Sequence, residues 1–454
     1  MRLRTLDPRP LELWSSDGEL RLRNKPARLP AWPLGALLGG YPVWWAMGVA
    51  DVSWIFFAAV MAAYLIARGD IRVPRGFGIW LLFLAWMGLS ATQLSSVGDL
   101  FFFTYRALQL LSATVLMVYV YNAREEIGDR YVAGAASLLW VTTIVGGYLG
   151  MLFPSVVYRS PLSFVLPEAL LGNDLINRMV IRRFSQYNAD SWVEVAPRPS
   201  APYLYTNNWG NAYALLLPLV LIYLFEVRGT RRFWWVLASV PVSIVPAIST
   251  MNRGMFIGVG VAVAYIAVRY LLMGKPVVAI ACAAAIAAAA LALVISPVNA
   301  DLQDRLDSSG TNESRSTVYL ETLEDVAQSP LLGMGAPRAN DNPKLPPVGS
   351  HGQFWIVMHS HGVPAVVFFV GWFISVFYKG VRRQDFAGIA TGAVILVSLV
   401  QFTFYGFLPV GMALLMVACG LAQRGPMSSR TEQSWARPTI RRQRRTDPFS
   451  TARA

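Results

Sequence analysis

The chain has 454 residues, of which 55% are hydrophobic and only 14% are charged, whereas a soluble domain carries about 25% charged residues. Windows of about 20 residues with almost no charge recur along it, each long enough to cross a hydrocarbon core of about 30 Å. This excludes an ordinary soluble protein and predicts an all-α, polytopic membrane protein. The formal net charge of +13 does not indicate nucleic acid as a partner, because the basic residues cluster between apolar runs and in the two tails.

About twelve membrane spans and two long polar loops are predicted in chain order. The spans are 32–49, 52–68, 77–95, 100–121, 132–154, 209–226, 233–249, 254–272, 276–296, 361–378, 386–405 and 406–423. The polar loops are 155–208 and 298–360. We expect a basic, irregular N-terminal tail over 1–30 without a cleavable signal peptide, and a basic, disordered tail over 425–454. Residues 31–424 then form the transmembrane domain, which includes both loops.

The distribution of basic residues predicts the orientation. Twelve spans place both tails on the same side of the membrane. If that side is the cytoplasm, every short basic connection lies inside, as the positive-inside rule requires, and both long loops lie outside. We therefore predict a multi-pass protein of the plasma (inner) membrane with cytoplasmic termini. Cys282 and Cys419 both lie inside apolar runs, which argues against a disulfide framework.

Four arginines at or near the outer face are candidates for binding an anion. Arg253 lies between two spans, Arg315 and Arg338 lie in the second long loop, and Arg106 lies within the fourth span. Guanidinium groups bind phosphate through paired donors and stay charged, and an arginine inside a membrane is by default a functional candidate. The simpler alternatives are that Arg106 and Arg253 reach for the interface and that Arg315 lies on a solvated helix face.

The second loop contains a segment with helical periodicity, from Ser314 to Ser329. Its predicted apolar face consists of Tyr319, Leu323, Val326 and Ala327. Its predicted polar face consists of Glu321, Glu324 and Asp325. Pro330 is predicted to end the helix. We expect this helix to pack on the membrane domain or the interface.

All three histidines follow in the same part of the chain. His351 lies where the second loop returns to the membrane, where an imidazole can accept a proton or donate to a phosphate oxygen. The simplest interpretation of His359 and His361 is that they are polar residues at the membrane interface. A shared metal site is not expected, because on a helix His351 and His359 are about 12 Å apart along the axis and no carboxylate cluster accompanies them.

Four patches of the sequence resemble the O-antigen ligase and O-antigen polymerase superfamily, in the order that the family has them. Asn207-Asn208-Trp209-Gly210-Asn211 resembles an Asn-containing motif that enters a span after the first large outer loop. Thr250-Met251-Asn252-Arg253-Gly254 is similar to Thr-x-Ser-Arg-Gly at a span mouth, with Asn252 in the serine position.

The other two patches lie in and after the second loop. Arg315, Tyr319 and Pro330-Leu331-Leu332-Gly333-Met334-Gly335 resemble an arginine, an aromatic residue four positions later, and Pro-Leu-Leu-Gly-x-Gly, with tyrosine where tryptophan is usual. His351 and Gly362 resemble a His-Asn pair followed by a glycine about one short helix later, but Gly352 replaces the asparagine.

The resemblance implies a metal-independent, inverting glycosyltransferase without a cofactor. Its donor would be a glycan on undecaprenyl diphosphate, its acceptor a glycan or glycolipid, and its other partners the membrane lipids. Arg253 and Arg315 would hold the diphosphate and stabilise it as the leaving group. His351 would activate or orient the acceptor hydroxyl. Arg106, Asn208 and Arg338 are candidates for substrate binding.

Three alternatives remain at the level of the sequence. A polymerase of lipid-linked repeat units would differ only in its acceptor. A polysaccharide or lipid transporter would show broken helices, charges near mid-membrane and internal symmetry. A metal-dependent membrane glycosyltransferase would carry paired carboxylates in its first outer connection, where this chain offers only Asp51.

Overall fold

A computed structural model describes residues 28–187, 197–295, 311–340, 342 and 345–424. Almost all of the predicted N-terminal tail and all of the predicted C-terminal tail lie outside the described residues, as do 188–196 and 296–310 within the two predicted long loops.

The described residues form sixteen α-helices and two short antiparallel β-ladders. The helices are α1 (Trp32–Gly39), α2 (Tyr41–Met47), α3 (Ala50–Arg68), α4 (Phe77–Ser90), α5 (Val97–Asn122), α6 (Asp129–Leu152), α7 (Glu168–Leu171), α8 (Asp174–Val180), α9 (Thr206–Glu226), α10 (Arg231–Ser249), α11 (Arg253–Leu272), α12 (Pro276–Ile295), α13 (Thr311–Gln328), α14 (Gln353–Gly380), α15 (Phe386–Gln401) and α16 (Val410–Gln423). In the first long loop, β1 (Val157–Arg159) pairs with β2 (Ile181–Arg183), and β3 (Ser185–Gln186) pairs with β4 (Arg198–Pro199).

The helices have the length and composition of a membrane protein. Seven of those described are long and apolar enough to cross a bilayer, namely α3, α5, α6, α9, α10, α11 and α14. The helices α4, α15 and α16 are apolar but shorter. The prediction of an all-α membrane protein is confirmed, while the count of twelve spans stays a prediction.

Several predicted boundaries are wrong, and a proline explains one of them. The first predicted span, 32–49, is divided into α1 and α2, because Pro42 in the first turn of α2 has no N–H to continue the preceding helix. The last two predicted spans meet at 405–406, whereas α15 ends at Gln401 and α16 begins at Val410. Residues 402–409 between them form a connection that we call the Tyr405 turn.

The second long loop ends earlier than predicted. α14 begins at Gln353 rather than at 361, so His359 and His361 lie inside a helix, where both are buried. They are therefore packed inside the protein, while their level relative to the membrane interface stays a prediction. The helix is interrupted at Gly362, whose φ of 80° and ψ of 177° are not helical. A Cβ atom there would lie 2.2 Å from the Leu331 carbonyl oxygen, so only glycine fits.

Contacts divide the ends of the helices into two sets. At one end, which we call the basic end, the Lys379 ammonium donates to the Arg75 carbonyl at 2.6 Å, and Arg424 pairs with Asp129 at 2.5 Å. Each of these contacts joins two segments that the distribution of basic residues predicts to lie on the same, cytoplasmic side. At the basic end, short connections near Arg75, Asp129 and Lys379 and the end of α16 thus contact one another in pairs.

The opposite end, which we call the loop end, gathers both long loops. Arg182 of the first loop pairs with Asp51 at the start of α3, at 3.0 Å. Arg198 of the same loop donates to the carbonyl oxygen of Thr250, just before α11, at 2.8 Å. The segments predicted to lie outside thus contact one another.

Large apolar side chains cover the outside of the helices. Trp234 and Trp235, at the start of α10, are 69% and 79% exposed, as expected of aromatic residues at the level of lipid head groups. Val277, Ile280 and Leu291 expose the surface of α12 in the same way. Exposed apolar side chains on such helices indicate contact with lipid.

An aromatic core fixes the position of the Tyr405 turn. Trp80 of α4 packs on Trp372 of α14, with ring centroids 4.9 Å apart, and Phe373 packs on Phe402 at 5.3 Å. Phe402, the first residue of the turn, is 1% exposed. Such pairs bury large apolar surfaces with defined geometry, so the turn is held against α14.

Candidate functional site

The Tyr405 turn joins the beginnings of three helices at the loop end. The Tyr405 hydroxyl donates to the Asn252 side-chain oxygen, and its carbonyl oxygen accepts from the Gln353 N–H at 2.7 Å. The Asn252 amide donates to the Thr206 carbonyl oxygen at 3.0 Å. The first turns of α9, α11 and α14 therefore surround one connection.

Asn252 determines where Arg253 lies. It is 3% exposed, and its side chain caps α11. Arg253 is the first residue of that helix, and its side chain is exposed at the loop end. Within the described part of the chain it has no acidic partner. Asn252 thus holds an unpaired cation in a defined place, a role that capping side chains can supply.

The Asn-containing motif at the start of α9 serves mainly to pack this helix. The Trp209 indole donates to the Thr143 carbonyl oxygen at 3.0 Å, and the Asn211 amide donates to the Gln401 side chain at 2.9 Å. Gly210 makes room for Asn252, since a Cβ atom there would lie 2.3 Å from its amide nitrogen. Asn208 is half-buried in the first turn of α9 and is left as the candidate for substrate contact.

His351 lies two residues before α14, beside the Tyr405 turn. It is half-buried, and its Nδ1 lies 3.0 Å from the Ser350 hydroxyl. The following Gly352 has φ 82° and ψ 134°, a region that is essentially restricted to glycine. A Cβ atom at this position would also lie 2.6 Å from the Thr403 carbonyl oxygen. The backbone therefore explains why glycine replaces the asparagine that the resemblance leads one to expect.

The helix that carries Arg315 reaches the same turn. The Tyr319 ring stacks on the Trp355 ring, with centroids 4.5 Å apart, and the Tyr319 hydroxyl and the Trp355 indole both donate to the Thr403 carbonyl oxygen. Arg315 lies one turn before Tyr319 in α13, while its side chain lies outside the described part of the chain. The segments that bear Arg253, Arg315 and His351 thus all meet the Tyr405 turn.

The predicted faces of α13 are wrong by about one residue. The helix buries Val318, Thr322, Asp325 and Val326, whereas Leu323, predicted to be buried, is 46% exposed. The burial of Asp325 has a chemical reason. Its carboxylate accepts from the Arg338 Nε at 2.7 Å and from the His359 Nε2 at 3.0 Å.

Arg338 therefore binds the protein's own carboxylate, that of Asp325. Because a carboxylate only accepts, the His359 Nε2 carries the hydrogen in this contact. Burial by itself would raise the pKa of the Asp325 carboxyl, but the hydrogen bonds from Arg338 and His359 outweigh it and hold the pKa below its ordinary value. The contacts among Asp325, Arg338 and His359 hold α13 and the following loop against α14.

Replacing Asp325 with asparagine is expected to lower the unfolding temperature of the purified protein, with a cost of about 1–2 kcal/mol from the lost charge-assisted bonds to Arg338. A carboxylate whose pKa is depressed on folding stabilises the protein above its unfolded pKa, about 3.9, and this contribution is lost as pH falls through the lower folded value. The difference between wild type and Asp325→Asn should therefore shrink between about pH 5 and pH 3.

The control for this prediction is Glu324→Gln, which removes the neighbouring exposed carboxylate of the same helix. It should leave the unfolding temperature unchanged. Equal effects of the two substitutions would contradict a specific role for Asp325.

Arg106 lies near the interruption of α14, away from the Tyr405 turn. It lines a cavity of about 10 Å³ together with Ser360, His361 and Ala336. The His361 Nδ1 lies 2.6 Å from the Ser90 hydroxyl. Since His361 is eight residues beyond Gln353, it lies about 12 Å deeper along the helix axis. The structure therefore does not bring Arg106 together with Arg253 and His351.

The loop Pro330 to Gly335 occupies the interruption at Gly362. The N–H groups of Met334 and Gly335 donate to the carbonyl oxygens of His359 and Ser360, at 2.8 and 2.9 Å, and the Val363 N–H donates to the Pro330 carbonyl oxygen at 2.9 Å. Backbone groups freed by a broken helix must be satisfied when no water reaches them. The Pro-Leu-Leu-Gly-Met-Gly patch therefore satisfies backbone groups at the break in α14, and we call this segment the backbone plug.

Sequence reasoning missed Asp325, Tyr405 and Gln353. The burial of Asp325 could have been predicted from the sequence. Val318, Thr322, Asp325 and Val326 have the spacing of one helix face, provided that this buried face may include a charged residue. No pattern in the sequence indicates the roles of Tyr405 and Gln353, because these roles depend on contacts between distant segments.

Within the described ranges, no group of three or more His, Cys, Asp or Glu side chains could hold a metal ion. No protein-family model matches the chain, and no curated protein matches it significantly.

Proposed function

We propose that the protein is a metal-independent, inverting glycosyltransferase of the O-antigen ligase type. It would move a glycan from undecaprenyl diphosphate to an acceptor hydroxyl at the outer face of the plasma membrane. The observation that carries the proposal is the meeting of the segments bearing Arg253, Arg315 and His351 at the Tyr405 turn, which brings together motifs that are distant in sequence.

The electrostatic field around the Tyr405 turn favours the binding of an anion. The first turns of α9, α11 and α14 contact one another through Thr206, Asn252, Tyr405 and Gln353. Each helix N-terminus is equivalent to about half a positive charge. Arg253 adds a full charge that, within the described residues, no carboxylate neutralises. A diphosphate at the loop end would be held by this combination, while the lipid chain stays in the bilayer.

The proposed step is a single displacement. The acceptor oxygen forms a bond to the anomeric carbon, and the bond from that carbon to the diphosphate oxygen breaks on the opposite face. The hydroxyl proton passes to His351, and the negative charge that develops on the diphosphate is stabilised by Arg253 and Arg315. One displacement inverts the anomeric configuration.

Aromatic residues beside His351 suit a glycan. Trp355 lies four residues after His351 and stacks on Tyr319 with an angle of 15° between the ring planes. Both rings are only half-buried. A flat apolar surface with polar groups at its edge is suited to the faces of sugar rings, so this pair is the proposed platform for the transferred glycan.

The interruption at Gly362 is the observation that favours a transporter. Discontinuous helices often line the substrate sites of transporters through backbone groups left free by the break. Here the Pro330 to Gly335 loop binds those groups. The break is therefore explained by packing, and the glycosyltransferase is the proposal that we retain.

The experiment that tests the proposal is the surface-glycan profile of a deletion strain. Full-length glycan chains stranded on the lipid carrier are expected for a ligase. Single repeat units on the carrier would instead indicate a polymerase with the same chemistry. A normal profile, with both carrier-linked and surface glycans unchanged, would contradict the proposal.

Excess chelator is expected to leave transfer activity unchanged. The proposed mechanism stabilises the leaving diphosphate with guanidinium groups rather than with a divalent cation. The measurement is the transfer rate of the purified protein with and without EDTA. Loss of activity that added Mg²⁺ or Mn²⁺ restores would support the metal-dependent alternative.

A further inference from the structure

A second basic cavity lies in the first long loop, beside the candidate site. It has a volume of about 450 Å³ and is lined by Arg178, Arg182, Arg183, Tyr187 and Tyr203, among others. This volume is within the range of small-molecule sites and would hold one or two sugar rings. None of the residues of the proposed transfer step lines it.

The cavity is next to the start of α9. The Gln186 side chain, which lines the cavity, accepts from the Thr206 N–H at 3.0 Å. The Thr206 carbonyl oxygen in turn accepts from Asn252, the residue before Arg253. The cavity and the candidate site are therefore linked through Thr206, the first residue of α9.

Its walls are held by the fold. The ladders β1–β2 and β3–β4 contribute residues on one side. The Ser185 hydroxyl donates to the Gly150 carbonyl oxygen at 2.7 Å, and the Tyr203 hydroxyl shares a 2.7 Å hydrogen bond with Thr143. The cavity is thus anchored to α6 and is largely formed before any ligand binds.

Buried charge gives the cavity its chemical preference. Arg182 is 2% exposed and pairs with Asp51 through Nη1 at 3.0 Å. Its Nε and Nη2 are also buried, and the structure gives them no hydrogen-bond partner within the described ranges. Buried donors without an acceptor are costly. Two donors of this buried guanidinium are thus without an acceptor among the described residues.

The other two arginines differ in their pairing. Arg178 is balanced by Asp174 at 2.9 Å. Arg183 is exposed, and among the described residues no carboxylate pairs with it. Among the described residues, the three guanidinium groups that line the cavity pair with two carboxylates, Asp51 and Asp174, so this described lining has an excess of positive charge.

We propose that this cavity binds an anionic sugar residue, one that carries a carboxylate or a phosphate group. The guanidinium groups supply paired donors for the anion. The amide N–H groups of Gln186 can donate to sugar hydroxyls, and Tyr187 contributes an aromatic side chain to the lining. The inference rests on the proposed function for its biological role, in which the cavity selects acidic glycans, but the binding itself is tested separately.

The test is calorimetric titration of the full-length protein, purified in detergent, with four probes. These are a disaccharide that contains glucuronic acid, its neutral glucose counterpart, glucose 1-phosphate and inorganic phosphate. We expect at least one acidic sugar to bind at least tenfold more tightly than the neutral disaccharide. Arg183→Gln should weaken that binding at least tenfold. The matched control is Arg159→Gln, which removes an exposed arginine of the same loop that lies over Phe164, outside the cavity.

Each outcome has a definite meaning. Preference for the uronic acid or for the sugar phosphate would assign the anion as carboxylate or phosphate. Equal binding of neutral and acidic sugars, binding of inorganic phosphate as tight as that of glucose 1-phosphate, or equal effects of Arg183→Gln and Arg159→Gln would overturn the inference. The transfer assay with a neutral glycan donor tests the proposed function independently, so failure of one result does not imply failure of the other.

Discussion

Replacing His351 with alanine is expected to lower the rate of glycan transfer by about 10²-fold or more, because a positioned general base contributes about 10²–10⁴ to the rate. The imidazole is half-buried at the entry to α14, beside the Tyr405 turn. Removing it should leave folding intact, since the imidazole is only half-buried and lies outside the helices. The measurement is the single-turnover transfer rate from the lipid-linked donor, together with the unfolding temperature of the same preparation.

Two further variants separate catalysis from packing. His351→Gln keeps a polar side chain but removes the base, so it should be as impaired as His351→Ala. Ser350→Ala removes the neighbouring hydroxyl and should reduce the rate by less than about tenfold, as expected for the loss of one hydrogen bond. Full activity of His351→Ala with an unchanged unfolding temperature would remove the imidazole from the mechanism.

The second large effect is expected for Arg253→Gln, with a loss of about 10²–10³ in kcat/KM, the size associated with removing one stabiliser of a developing negative charge. Arg253 is exposed at the loop end, so the substitution should not disturb the core. Arg253→Lys should recover part of the activity, because lysine restores the charge but not the paired donors.

The chain offers a matched control for this substitution. Arg231 is also the first residue of a helix and is also exposed, but it begins α10 at the opposite end. Arg231→Gln should leave transfer and the inhibition by undecaprenyl diphosphate unchanged, whereas Arg253→Gln should weaken that inhibition. Unaltered inhibition in Arg253→Gln would mean that this arginine does not hold the diphosphate.

The faces of α13 show the limit of a periodic pattern. Hydrophobicity alone placed Asp325 toward solvent, and its burial depends on Arg338 and His359, which follow it by 13 and 34 residues. A carboxylate is buried only when donors are present to satisfy it. The sequence contains all three residues, but their pairing is a property of how the loop folds onto α14.

The start of α14 also depends on tertiary contacts. The predicted span began at 361, so His359 and Ser360 were assigned to the second long loop. In the structure these residues continue a helix, because the backbone plug from Pro330 to Gly335 and the hydroxyl of Ser90 provide partners for them. Tertiary contacts thus allow this polar stretch to lie in a buried helix.

The sequence by itself determined that this is an all-α membrane protein, since charge-free runs of membrane length leave few other structures for the backbone. It also identified Arg253, Arg315 and His351 as candidates, because residue type and position at the ends of apolar runs limit where such groups can lie. Only the tertiary structure decided that their segments meet at the Tyr405 turn, that Arg338 binds Asp325, and that Arg182 lies buried in a separate cavity. Those outcomes depend on hydrogen bonds between segments up to about 150 residues apart, such as Asn252 with Tyr405, and no local periodicity encodes contacts over such distances.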